Sequence, residues 1–202
     1  MKRKVGIIGG TFDPIHNGHL MLAEYSRVNF KLEEIIFIPS GNPPHKEKGI
    51  VSPIIHRYNM TLLAINSNPH FVLSTLEIKK EEEINYTVDT IKKLKEINKN
   101  IDYYFILGED SIKEIHTWKD YNKLLRMCKF IVAPRPYSDR KTLMDKVNSL
   151  NVKYGHSIYI LDMPLIEISS TDIRNRVSKG LSIKYLVPEI VEMYIQKHKL
   201  YI

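Results

Sequence analysis

Six short apolar runs, at residues 5–8, 35–38, 71–73, 103–107, 130–133 and 158–161, alternate with segments of helical periodicity at 18–28, 52–66, 87–97, 121–127 and 141–150. Strands alternating with helices predict an α/β fold: a Rossmann-like, mostly parallel sheet with helices on both faces. In open sheets of this kind ligands bind beyond the C-terminal ends of the strands, where the strand order reverses. The stretch that follows the first run is therefore placed at such an edge.

That stretch is GGTFDPIHNGHL, residues 9–20, and it leads into a helix-like segment from Asn17 to about Val28. Gly9 and Gly10 let the backbone approach a ligand with no Cβ in the way, and a helix N-terminus offers N–H groups and a positive dipole end, which suits a phosphate. Pro14 fixes the turn into the helix. His16 and His19, three apart, project from the first turn toward one spot, where they can stabilise charge on phosphate oxygens. Two other readings stand beside this one. The histidines could be zinc ligands, although one cysteine leaves only distant side chains to complete the site, or they could be surface or capping residues. The glycines and the strand-to-helix setting favour the phosphate.

Further groups fall in order along the chain. PSGNPPHKEKG, residues 39–49, is a loop by its prolines and glycines. His45 and Lys46 extend from it, and its lysine either clamps phosphate or is simply solvated. HRYNM, residues 56–60, begins an amphipathic helix. Thr87 is an N-cap or first-turn residue. Residues 103–121 read as a strand and then a loop, with Glu109, Asp110 and Ser111 able to accept from a ribose or adenine edge. Trp118, the one tryptophan, either stacks on a flat ring or joins the core, and its polar HTWKD setting argues against deep burial. Arg135, between two prolines, contacts phosphate or makes a salt bridge. Ser169, Ser170 and Thr171 precede a helix with Asp172 in its first turn and Arg174 and Arg176 beyond. By itself that is an N-cap; with the first motif it makes a second phosphate grip.

The 202 residues fit one domain, 1–202, with C-terminal helices from about residue 170 packing on the sheet. A composition 43% hydrophobic and 26% charged is ordinary for a soluble globular protein. The net charge of +7 raises nucleic acid as a partner. Dispersed lysines without interleaved aromatics argue against it, and an anionic small substrate or solvated lysine surface accounts for the charge. No signal pattern and no run of membrane-spanning length is seen. The lone Cys128, in MCKFIVA, reads as a buried strand residue in a protein of the reducing cytoplasm.

The segment His16-Asn17-Gly18-His19 resembles the signature of the HxGH nucleotidyltransferases, and the longer GGTFDPIHNGHL resembles their bacterial nicotinate mononucleotide adenylyltransferase branch. ISSTDIR, residues 168–174, is similar to the superfamily's second signature. The resemblance runs over nearly the whole chain. It implies the nucleotidyltransferase type of fold and an enzyme that joins nicotinate mononucleotide to the AMP part of ATP, giving deamido-NAD and diphosphate. Magnesium, Mg2+, would ride on the triphosphate and water with no protein metal site.

By the same resemblance His16, His19, Lys46 and Arg174 are catalytic. ATP is held by Gly9, Gly10, Thr11, Phe12, His16, Gly18 and His19 from the first motif. Gly108 and Asp110 from LGED, and Ile168, Ser169, Ser170, Thr171 and Arg174 from the second, complete that set. The mononucleotide is held by Asn42, His45, Lys46, Thr87, Trp118, Lys119 and Arg135. Glu109 and Lys119 depart from the family pattern, which usually has a small residue and an aromatic there. A sister transferase with another acceptor, such as pantetheine phosphate, and a nucleotide- or RNA-binding module without turnover are the rival expectations; a homo-oligomer is left open.

Overall fold

Side chains of the central strands alternate between two buried faces, the period expected of a sheet covered on both sides. The computed structural model describes residues 2–42, 51–78 and 84–202. Strand β1 (Arg3–Gly10) sends Val5 and Ile7 to one core and Ile8 to the other. Strand β4 (Ile101–Gly108) divides Tyr103, Phe105 and Leu107 from Tyr104 and Ile106 in the same way. Strand β5 (Lys129–Ala133) separates Phe130 and Val132 from Ile131. Each fully buried isoleucine or phenylalanine contributes on the order of 2 kcal/mol.

The first core is closed by α3 (Thr87–Ile97), α4 (Glu109–Lys113), α5 (Tyr121–Met127) and α6 (Arg140–Tyr154). The second is closed by α1 (Asn17–Phe30), α2 (Ile54–Ile65), α7 (Ser170–Ser178) and α8 (Glu189–Lys197). With β2 (Glu34–Pro39), β3 (Phe71–Leu73) and β6 (Ile158–Ile160), the strands run in the order β3-β2-β1-β4-β5-β6. Every pairing is parallel, so the sheet of described residues is wholly rather than mostly parallel. The order reverses between β1 and β4, which pair from Arg3↔Ile101 to Ile7↔Phe105. Their C-terminal ends, Gly9-Gly10 and Gly108, flank the crevice at that switch point.

Several local expectations change. Residues 109–117 are not a loop: one turn of helix, α4, is followed by a 3₁₀ turn (Ile115–Thr117). Cys128 is buried but lies at the end of α5, just before β5, and burial pushes its thiol up to about 12. Helix α2 begins at Ile54, ahead of HRYNM. After α7 the chain carries one further helix, α8, among the described residues.

Candidate active site

Three cavities open at the C-terminal edge of the sheet, and His19 lines all of them. The first, of ≈ 420 Å³, has Gly9, Gly10, Thr87, Phe105, Trp118 and Lys119 in its wall. The second, of ≈ 320 Å³, has His16, Gly18, Gly108, Arg135, Ile168 and Ser169. The third, of ≈ 200 Å³, has Thr11, Phe12, Asp13, Ser170, Thr171 and Arg174. Ser170 is shared by the second and third.

The imidazoles of His16 and His19 stack with centroids 3.7 Å apart and planes at 27°. His16, the N-cap of α1, donates its backbone N–H to His19 Nδ1 at 3.3 Å, so a neutral His19 carries its proton on Nε2. Its own Nδ1 is buried with no partner. Burial, and then the nearby Arg135 guanidinium, lowers His16 to about 4. Burial also holds His19 well below the ordinary histidine range, with His16 and Arg135 adding to it. The pair is therefore neutral at pH 7: two imidazolium rings at that spacing would repel without solvent to screen them.

Local packing explains the glycine between them. A Cβ on Gly18 would lie 3.1 Å from Nδ1 and 3.2 Å from Cε1 of His16, so only glycine lets the ring lie against the helix. The turn offers fewer donors than a bare helix start. The carbonyl of Leu186 takes the Asn17 N–H, and that of His16 takes those of His19 and Leu20, leaving Gly18 N–H unpaired among the described residues.

Helix α7 closes the other side. Ser169 is its N-cap, accepting from the Asp172 N–H at 3.1 Å, so Ser170 and Thr171 lie inside its first turn rather than before it. Ser170 Oγ donates to the Pro14 carbonyl at 2.9 Å, and Arg174 donates to the Asp13 carbonyl at 2.7 Å. These bonds join the two motifs across the cavity. Asp13, itself buried, accepts from Tyr201 Oη at 2.7 Å and from the Ser52 N–H at 3.1 Å.

One residue essential to this arrangement was not singled out from sequence. Arg57, on α2, is 2% exposed and donates to the carbonyls of Thr11 at 2.8 Å, Ser40 at 2.7 Å, Gly41 at 3.3 Å and Ser52 at 2.9 Å. It ties the first motif to the end of β2 and the start of α2. Its signal was its position: Arg57, Met60, Thr61 and Ala64 fall on one stripe of the helix, and that stripe is the buried one.

In the ≈ 420 Å³ cavity Trp118 is half-buried, perpendicular to Phe105 with centroids 6.1 Å apart, and lines the space. Thr87 is the first residue of α3 and does not cap it; Tyr86 occupies the N-cap. Phe12, by contrast, is 2% exposed and packs edge-on to His19, so it supports the histidine from the core. Asn42 accepts from the Asn85 N–H at 3.3 Å and is not in a cavity wall. His45 and Lys46 lie outside the described residues.

Glu109 does not face a ribose or adenine. It is fully buried, accepting from the Arg135 N–H at 2.8 Å and the Ser138 hydroxyl at 2.7 Å and pairing with Lys113 at 2.6 Å. Burial raises its pKa, but those three contacts outweigh it and leave the carboxyl below its usual range. The departure from a small residue thus anchors the loop that carries Arg135. Arg135 in turn pairs with Asp110 at 2.8 Å, the salt bridge that was one of its two expected roles, while still lining the second cavity.

The model of the cytidylyltransferase-like family matches residues 7–176. A probable nicotinate-nucleotide adenylyltransferase of Thermoanaerobacter sp. (strain X514) is 51% identical, covering 98% of this chain and 94% of that one. The chain belongs to the nicotinate-nucleotide adenylyltransferase family. A probable nicotinate-nucleotide adenylyltransferase of Moorella thermoacetica is 49% identical over 98% of this chain and 91% of its own. The architecture agrees as well. Plasmodium falciparum nicotinic acid mononucleotide adenylyltransferase, solved in complex with NaAD, superposes with a TM-score of 0.81 at 28% identity, over 98% of this chain and 97% of that one. The family resemblance read from HNGH and ISSTDIR therefore holds over the full chain, and the enzyme class with it.

Among the described residues no group of three or more His, Cys, Asp or Glu side chains is arranged to hold a metal ion. No helix among them is long and apolar enough to cross a membrane.

Proposed function

We propose that the chain transfers the AMP part of ATP to the phosphate of nicotinate mononucleotide, forming nicotinate adenine dinucleotide (deamido-NAD) and releasing diphosphate. The observation that carries this reading is the convergence of three cavities on His19 at the β1/β4 switch point. The pyridine ring enters the ≈ 420 Å³ cavity beside Trp118 and Thr87, and the adenosine enters the ≈ 320 Å³ cavity between Gly108, Arg135 and Ile168. The β- and γ-phosphates fall to the ≈ 200 Å³ cavity, lined by Thr11, Ser170, Thr171 and Arg174.

The chemistry needs no covalent intermediate. An oxygen of the mononucleotide phosphate attacks the α-phosphorus of ATP, a new P–O bond forms, and the bond to the bridging α–β oxygen breaks with diphosphate leaving. His19 Nε2–H and the edge of the His16 ring turned away from Gly18 face the α-phosphate, which Gly18 N–H also reaches. As neutral rings they donate hydrogen bonds to oxygens gaining charge without first losing hydration as cations would. Ser170, Thr171 and Arg174 receive the leaving diphosphate at the start of α7, and Lys46 is assigned to the same task from its loop. ATP arrives with a divalent cation, Mg2+ in this reading. It would enter as part of the substrate, with phosphate oxygens and water as its ligands. The reading carries with it a single domain over residues 1–202 and a cytoplasmic place.

The test is diphosphate release from MgATP with nicotinate mononucleotide, nicotinamide mononucleotide or pantetheine phosphate as acceptor. Release with the first, lost by roughly a hundredfold or more in His19→Ala, supports the assignment. Preference for pantetheine phosphate overturns the acceptor, and silence with all three overturns the reaction.

A further inference from the structure

Among its described lining residues, the ≈ 420 Å³ cavity holds one lysine or arginine, Lys119, and one carboxylate, Glu77. Glu77 is half-buried and partly engaged: Thr90 donates its hydroxyl to Oε1 at 2.7 Å, and burial holds the carboxyl above its ordinary range. Lys119 is presented. Its Nζ lies 3.0 Å from Asp89 Oδ2 and 4.4 Å from the centroid of the Tyr86 ring, with the side chain 46% exposed. Asp89, Tyr86 and Thr87 all stand at the start of α3, so the ammonium sits where α3 meets the Trp118 turn in the wall of that cavity.

Hydroxyl groups in this wall cannot tell a carboxylate from a carboxamide by charge, because a hydroxyl both donates and accepts. An ammonium can. An exposed lysine–aspartate pair is weak in water, so it does not lock Nζ to Asp89, and an ammonium has three donors to share. Resting on the function proposed above, we propose that Lys119 is a specificity-determining residue: it favours an acceptor whose pyridine ring bears a carboxylate over the same ring bearing a carboxamide. Asp89 holds the ammonium in the cavity wall and moderates its charge.

The experiment compares kcat/KM for nicotinate mononucleotide and nicotinamide mononucleotide in the wild-type chain, Lys119→Met, Lys119→Arg and Asp89→Asn. The acid-to-amide ratio should fall roughly fivefold to tenfold in Lys119→Met, the size expected of one partly screened charge, through a raised KM for the acid. It should be kept in Lys119→Arg, rise in Asp89→Asn, and decline in the wild type as salt is added. A ratio in Lys119→Met within twofold of wild type overturns the proposal while leaving the transfer reaction standing. Absence of transfer to either pyridine acceptor in the wild type overturns both together.

Discussion

Two imidazoles stacked 3.7 Å apart inside a protein cannot both be charged, and the fold spends stability to keep them neutral. In the unfolded chain a histidine titrates near 6.5, whereas His16 in the fold titrates at about 4. Between those values the folded state binds fewer protons than the unfolded one. Stability is therefore full above pH 6.5 and declines as pH falls toward 4. Thermal unfolding of the ligand-free protein from pH 7.5 to 4.5 should show a falling midpoint, and His16→Asn should flatten that fall; equal slopes in the two proteins would show that other groups cause it. Where a motif named residues, as at His16, His19, Ser169 and Arg174, the fold brings them to adjoining cavities. Residues were poorly read from sequence where burial reverses their usual role. Arg57 and Glu109 are charged side chains turned inward onto backbone groups, and composition alone assigns such residues to solvent.

At the scale of elements, the start of α1 is shaped by what Gly18 omits. An added methyl there must displace the His16 ring by a few tenths of an ångström, yet alanine is the better helix former by up to about 1 kcal/mol. Gly18→Ala should therefore lower kcat by roughly tenfold or more with an unfolding midpoint equal to or above wild type. A parallel loss of both would mean that the glycine serves folding and not the ring. The six strands were legible because each is a run of apolar residues bounded by turn or helix signals, and the central ones are buried on both sides. The one-turn helix α4 was not, since five residues, Glu109–Lys113, are too few to show a period. The start of α1 keeps fewer free N–H groups than sequence could show, because the distant Leu186 carbonyl, brought there only by the fold, takes that of Asn17.

Across the whole molecule, the end of the chain is drawn back to its beginning. Tyr201 donates to Asp13 across 188 positions, and Arg174 and Ser170 hold the carbonyls of Asp13 and Pro14. Burial first, and then the Asp13 carboxylate, raises the phenol's pKa, so Tyr201 remains a donor through the neutral range. Tyr201→Phe removes that donor and should lower unfolding stability by about 2 kcal/mol, measured in urea; no change would mean that Asp13 finds an equal partner in water. The two halves of the product are assigned to opposite sides of His19, and a crystal structure of the chain with nicotinate adenine dinucleotide checks that placement. The pyridine is expected against Trp118, the adenosine between Gly108 and Ile168, and the bridging phosphates within hydrogen-bonding distance of His16 and His19. Phosphates remote from both histidines, or the adenine in the Trp118 cavity, would contradict it.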